Sequence, residues 1–155
     1  MRHFLLLLVV AFSFLAKPVF AATSNQPHYT VIINQVRGSE CCSAGGLNEL
    51  TQQLEALQKL GLSGTFTLRY DALLDARYIN LLKQFGNTQL EVGAFLEITP
   101  QLAQDAGVLY TGSAEQWYEA EHAFLIGYQP EERRKLIAAY MKQFQAVFGK
   151  IPTTT

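Results

Sequence analysis

Short segments rich in β-branched and aromatic residues alternate along this chain with longer segments of helical periodicity. The predicted strands cover residues 29–33, 64–70 and 90–97, and Val, Ile, Thr and Phe are frequent in them. Such alternation predicts parallel strands joined by right-handed crossovers, because a helix must carry the chain back to the start of each next strand. The predicted fold class is therefore α/β.

Four helices are expected between and after these strands. Leucines at 47, 50, 54 and 57 form the apolar stripe of the first helix, which Gly61 ends. The second helix is predicted to have its apolar stripe from Leu74 to Phe85 and to end at Gly86. The third is predicted to begin at Thr99 and Pro100, and the last to run from Pro130 to Gly149. Residues 106–128 are expected to be irregular.

Two α/β architectures fit this order, a β/α barrel and an open doubly wound sheet. A complete barrel typically needs roughly 250 residues, and only three clear strands are present. Residues 150–155 have the composition of a lead-in to a fourth strand. We therefore expect a parallel-stranded partial barrel, the first three to four β/α units, truncated at the C-terminus. The alternative is a complete small sheet domain with a loose tail.

The first 21 residues have the three-part pattern of a secretory signal peptide. Arg2 and His3 precede an apolar run that Lys17 and Pro18 interrupt, and the pattern ends in the small residues Ala21, Ala22 and Thr23. We expect cleavage near Ala21, a flexible segment at 22–28, a domain over 29–155, and a secreted, periplasmic or cell-envelope location. An uncleaved membrane anchor is the alternative, and no membrane association is expected after cleavage.

The formal net charge of −1 gives no electrostatic attraction to nucleic acid, so no nucleic-acid partner is expected. Cys41 and Cys42 are the two cysteines, and they are adjacent. In an exported protein they are candidates for a disulfide, although adjacent α-carbons are closer together than most disulfides require. Two reduced, partly buried thiols are the alternative.

Three segments resemble motifs of the polysaccharide deacetylase (NodB-homology) family of β/α barrels. Residues 64–68, Gly-Thr-Phe-Thr-Leu, are similar to its second strand, Glu91-Val92-Gly93 is similar to the approach to its histidine motif, and residues 29–38 occupy the place of its first strand. The resemblance covers roughly residues 29–155. It implies a carbohydrate-active protein of a divergent glycoside hydrolase/deacetylase type, with a glycan or cell-envelope polysaccharide as its partner, and the N-terminal pattern adds export.

The metal ligands of that family are missing from the matching positions. Residues 34–38 contain no carboxylate where the family has two acidic residues, and Phe95 and Thr99 stand where it has histidines. A hydrolytic metal site needs such ligands. We therefore expect no metal, no cofactor and no deacetylation by the family mechanism.

Polar residues that follow the predicted strands are the candidate site, because sites of barrel enzymes gather at the carboxyl ends of strands. Two carboxylates can hydrolyse a glycosidic bond, and aromatic side chains can stack on sugars. The catalytic candidates are Asp71, Glu97 and Glu40, and the substrate-binding candidates are Arg37, Arg69, Trp117, Tyr118 and His122.

Each candidate also has a structural explanation. Asp71 can be a helix cap, and Arg69 can pair with Asp71 or Glu97 as a structural salt bridge. Whether the protein is an enzyme stays open. If it is one, we expect a hydrolase that acts on a glycan without a metal. The alternatives are a non-catalytic glycan-binding protein of the cell envelope and an inactive gene fragment.

Overall fold

The computed structural model describes residues 30–40, 46–86, 90–113 and 119–155. The strands in these ranges are β1 (Ile33–Val36), β2 (Gly64–Leu68) and β3 (Leu90–Ala94). The helices are α1 (Gly46–Leu60), α2 (Tyr70–Leu74), α3 (Ala76–Phe85), α4 (Pro100–Ala106), α5 (Ala120–Ala123) and α6 (Pro130–Phe148), and a 3-10 turn covers Leu125–Gly127. The predicted signal peptide and the segment 22–28 lie outside the described residues.

The three strands form one parallel sheet in the order β1-β2-β3. Ile33 pairs with Thr65 and Val36 with Leu68, while Gly64 pairs with Leu90 and Leu68 with Ala94. The predicted α/β class with parallel, helix-connected strands is thereby confirmed.

The hydrophobic core lies against one face of this sheet. Phe66 and Leu68 alternate with Thr65 and Thr67 along β2, so their side chains point to the opposite face from the threonines. Both are completely buried, in one core with apolar residues of α1, α3 and α6, among them Leu54, Leu82, Leu136 and Phe144. Burial of each such side chain contributes about 1.5–3 kcal/mol, which fixes the helices on this face.

The predicted position of the first strand is wrong. Residues 29–33 were expected to form it, with a loop from Asn34, but β1 covers Ile33–Val36 and includes Asn34 and Gln35. Their backbones pair with Phe66 and Thr67 of β2. Backbone pairing with the central strand overrides the low strand propensity of two amide side chains.

Several other boundaries also differ from the expected ones. The helix expected through residues 74–85 is two helices, because Asp75 ends α2 and caps α3 by accepting a hydrogen bond from the Arg77 amide. Strands β2 and β3 end at Leu68 and Ala94, earlier than predicted. The stretch 106–128, expected to be irregular, contains α5 and the 3-10 turn, and the Ile98 amide donates to the Ala123 carbonyl to hold α5.

The predicted helix ends at Gly61 and Gly149 are confirmed. Gly61 has φ 64° and Gly149 φ 72°, a left-handed backbone that favours glycine. Beyond Gly149, the Thr154 carbonyl oxygen accepts a hydrogen bond of 2.8 Å from the Ala94 amide, at the edge of β3 away from β2. Residues 150–155 have no strand assignment, so the expected fourth strand stays a prediction. Among the described residues, no helix has the length and apolar character needed to cross a membrane.

Candidate functional site

The segments that follow the three strands meet at the carboxyl end of the sheet. Each contributes charged side chains: Arg37 and Glu40 after β1, Arg69 and Asp71 after β2, and Glu97 after β3. We call these five residues the rim cluster. Parallel strands bring these positions together because all their carboxyl ends lie at one edge.

Arg69 is the centre of the rim cluster and joins its two buried carboxylates. Its Nε and Nη2 donate to the two carboxylate oxygens of Asp71 at 2.8 and 2.5 Å, and its Nη1 donates to Glu97 Oε1 at 2.8 Å. The side chains of Arg69, Asp71 and Glu97 are only 3%, 5% and 5% exposed. The expected structural pairing of Arg69 is confirmed, and it involves both carboxylates at once.

Asp71 lies in the first turn of α2, and its carboxylate holds the segment that follows β1. It accepts from the backbone amides of Ala72 at 2.9 Å and Glu40 at 3.0 Å, as well as from that of Gly38. Burial acts to raise the pKa of Asp71, but the Arg69 guanidinium and the loop amides outweigh it and hold this pKa below its usual value. Asp71 is therefore an ionised structural anchor.

Gly38 is what allows this close approach. A Cβ atom at this position would lie 2.8 Å from Asp71 Oδ2 and from the Ala72 amide nitrogen, closer than side chains can pack. Position 38 next to the Asp71 carboxylate therefore requires glycine.

Glu97 is held from a second side by Arg37. The Nε and Nη2 atoms of Arg37 each lie 2.8 Å from Glu97 Oε2, and the Arg37 guanidinium lies 5.0 Å from the centre of the Phe95 ring. The Arg37 side chain is 34% exposed, in contrast to Arg69. A ligand can thus reach Arg37 and the half-buried Phe95.

Glu40 is the carboxylate of the rim cluster without a direct arginine partner among the described contacts. The residue is exposed at the margin of the cluster. Partial burial of its carboxyl and the charge of Asp71 raise its pKa, against hydrogen bonds from the Thr99 hydroxyl and the Gln101 amide. The pKa values of neighbouring Glu40 and Asp71 are therefore displaced in opposite directions.

The sequence analysis does not identify two further residues near this edge, Phe95 and Tyr110, as site residues. The pKa of Tyr110 is raised by burial and by the charges of neighbouring groups, among them Tyr128, Glu40 and Glu97. From the sequence, Phe95 is identified only as the residue that replaces a histidine ligand. A search for aromatic residues near strand ends would have found Phe95, but Tyr110 lies in a segment whose course the sequence did not predict.

The remaining predicted site residues lie elsewhere or outside the described ranges. His122 is in α5, where its ring nitrogens face Glu119 and Thr111 instead of the rim cluster. Trp117, Tyr118, Cys41 and Cys42 fall outside the described residues. In the described ranges no group of three His, Cys, Asp or Glu side chains is placed to hold a metal ion.

The chain was compared with known protein families, curated proteins and solved structures, and none of them matched. The geometry of the rim cluster therefore carries the functional argument.

Proposed function

We propose that this chain is an exported glycan-binding protein of the deacetylase-like barrel type. It binds its carbohydrate at the rim cluster and does not use Asp71 or Glu97 as hydrolytic groups. The observation that carries the proposal is the buried Arg69, which occupies oxygens of both carboxylates. A carboxylate held in this way cannot approach an anomeric carbon or activate a water without breaking a buried ion pair.

The accessible part of the cluster supports binding of a sugar. The Arg37 side chain is 34% exposed, and its guanidinium lies over the ring of the half-buried Phe95. A flat apolar surface next to hydrogen-bond donors suits a pyranose ring, which has apolar C–H faces and polar hydroxyl edges. The position at the carboxyl end of a parallel sheet is also where β/α proteins hold their ligands.

Export and the barrel architecture belong to the same proposal. The N-terminal pattern of residues 1–21 supports a secretory route, and the hydrogen bond between the Ala94 amide and the Thr154 carbonyl is compatible with a further strand beside β3. The motif resemblance of residues 64–68 and 91–93 supports a carbohydrate ligand.

Metal-independent hydrolysis of a glycan is the second candidate, and one observation favours it. Paired carboxyl groups whose pKa values are displaced apart are typical of an acid and a base, and Glu40 and Asp71 form such a pair. In this alternative Glu40 is the general acid. The hydrogen bonds that already occupy Asp71 oppose it as the nucleophile.

Binding of the secreted protein to insoluble chitin, cellulose, xylan and peptidoglycan tests the proposal. We expect retention on at least one of these polysaccharides, loss of retention in Arg37→Met, and no soluble sugar released from the retained polysaccharide. Arg134→Met is the matched control, because Arg134 is 71% exposed on α6 and pairs with Glu131, away from the rim cluster.

The two candidates give different results with Glu40→Gln. If the wild type releases soluble sugar and Glu40→Gln does not, the hydrolytic alternative is established. Absence of retention on every polysaccharide, or equal retention of Arg37→Met, would refute binding at the rim cluster.

A further inference from the structure

A second group of polar side chains, separate from the rim cluster, joins a carboxylate, an imidazole and a hydroxyl. Glu119 Oε2 lies 3.3 Å from His122 Nε2, and His122 Nδ1 lies 3.4 Å from Thr111 Oγ1. The His122 side chain is 19% exposed and that of Glu119 40%, while Thr111 is exposed. The order carboxylate, imidazole, hydroxyl is the one that activates a nucleophile in acyl transfer.

The backbone around His122 is held from two sides. Its own carbonyl oxygen accepts a hydrogen bond of 3.2 Å from the Tyr128 hydroxyl, and the next carbonyl, of Ala123, accepts one of 2.7 Å from the Ile98 amide. The short helix that carries His122 is thus held by hydrogen bonds from two buried residues, Tyr128 and Ile98.

The segment with Thr111 packs tightly against this helix. A Cβ atom at Gly112 would lie 2.9 Å from His122 Cβ and 2.6 Å from the Tyr110 hydroxyl. A glycine at this position therefore permits the approach that brings the hydroxyl to the imidazole.

We propose that Glu119, His122 and Thr111 form a nucleophilic site that hydrolyses acyl esters. In this site His122 has its proton on Nε2, which donates to Glu119, and Nδ1 accepts the hydrogen of the Thr111 hydroxyl. Both distances are at the long end of the hydrogen-bond range, as is common for catalytic groups before a substrate binds. The site does not depend on the proposed glycan-binding function.

The reaction has two steps that balance. Thr111 Oγ1 attacks the ester carbonyl, its proton passes to His122 Nδ1, and the leaving alcohol takes that proton as its bond to the carbonyl carbon breaks. Water then attacks the acyl-threonine ester and gives one proton to His122 Nδ1. The bond between Thr111 Oγ1 and the acyl carbon breaks, Thr111 Oγ1 takes that proton, and the carboxylic acid leaves. Glu119 stabilises the imidazolium in both steps.

Hydrolysis of p-nitrophenyl acetate by the whole chain tests this site. An exposed histidine alone also cleaves this ester, so Thr111→Val is the decisive variant. We expect Thr111→Val and His122→Gln each to lower kcat/KM by roughly 100-fold or more. Thr111→Ser should retain turnover, and mass spectrometry of the acid-quenched wild type should locate an acetyl group on Thr111.

Glu121→Gln is the matched control, since Glu121 lies in the same helix and carries a carboxylate, whereas the described side-chain contacts of His122 are with Glu119 and Thr111. It should hydrolyse the ester like the wild type, whereas Glu119→Gln should be impaired. Circular dichroism confirms that each variant folds. Wild-type rates in Thr111→Val, or no hydrolysis by the wild type, would overturn the proposal whether or not the protein binds a glycan.

Discussion

Replacement of Arg69 by methionine tests the buried part of the rim cluster. Methionine keeps an unbranched apolar side chain in the core but removes the guanidinium that joins two carboxylates, each 5% exposed. Glu97 then keeps its contact with Arg37, whereas Asp71 keeps only backbone amides. The variant therefore contains a buried carboxylate without a cation.

The expected loss is large compared with the stability of a domain. Removal of one partner of a buried ion pair typically costs about 3–5 kcal/mol, because the remaining charge stays desolvated. A domain of ordinary stability has about 5–15 kcal/mol in total. Arg69→Met should thus lose a substantial part of the free energy of unfolding, without any change at the surface of the cluster.

Urea unfolding followed by circular dichroism measures this loss. Arg77→Met is the matched control: Arg77 also pairs with the carboxylate two residues away, Asp75 in this case, but its side chain is 67% exposed. Surface ion pairs contribute little, so this variant should unfold nearly like the wild type. Addition of Asp71→Asn and Glu97→Gln to Arg69→Met should recover part of the loss. Equal midpoints for Arg69→Met and Arg77→Met would show that the buried ion pairs of Arg69 contribute no more stability than the exposed pair of Arg77.

Three further predictions concern the segments around the rim cluster. Gly38→Ala should lower stability by about 1–3 kcal/mol in urea unfolding, because its Cβ would lie 2.8 Å from Asp71 Oδ2; an unchanged midpoint would contradict this contact. Tyr140→Phe should cost about 0.5–1.5 kcal/mol in the same assay, since it removes the 2.5 Å hydrogen bond from the Tyr140 hydroxyl to the Leu68 carbonyl, and a stabilised variant would refute that hydrogen bond. The pKa of Asp71 is lower in the folded chain than its ordinary value of 3.8, so its contribution is present above 3.8 and is lost as the pH falls below it. In urea unfolding at several acidic pH values, the free energy of unfolding should therefore fall less with decreasing pH for Asp71→Asn than for the wild type. An equal dependence on pH in both proteins would exclude this contribution of Asp71.

The sequence was sufficient to predict the fold class and the meeting of the charged residues. Periodicity indicates which segments are strands, and parallel strands place their carboxyl ends at one edge. The sequence alone therefore predicts that Arg69, Asp71 and Glu97 lie together. Glycines at 61 and 149 also marked helix ends correctly, because their backbone conformation is left-handed.

Local sequence patterns could not predict the bounds of β1 or the role of Asp71 in the site. The choice of Ile33–Val36 depends on pairing with β2, a long-range contact that local propensity does not contain. Whether Asp71 is a reactive or a structural carboxylate depends on the loop amides of Gly38 and Glu40, which reach it only after folding.

Glycan binding at the rim cluster can be observed in a crystal structure of the chain with an oligosaccharide of the polysaccharide that retains it. We expect the sugar to lie against Arg37 and Phe95 with its glycosidic bonds intact, and Arg69 still bonded to Asp71 and Glu97. A cleaved sugar, a carboxylate released from Arg69, or a sugar bound away from the rim cluster would contradict the account.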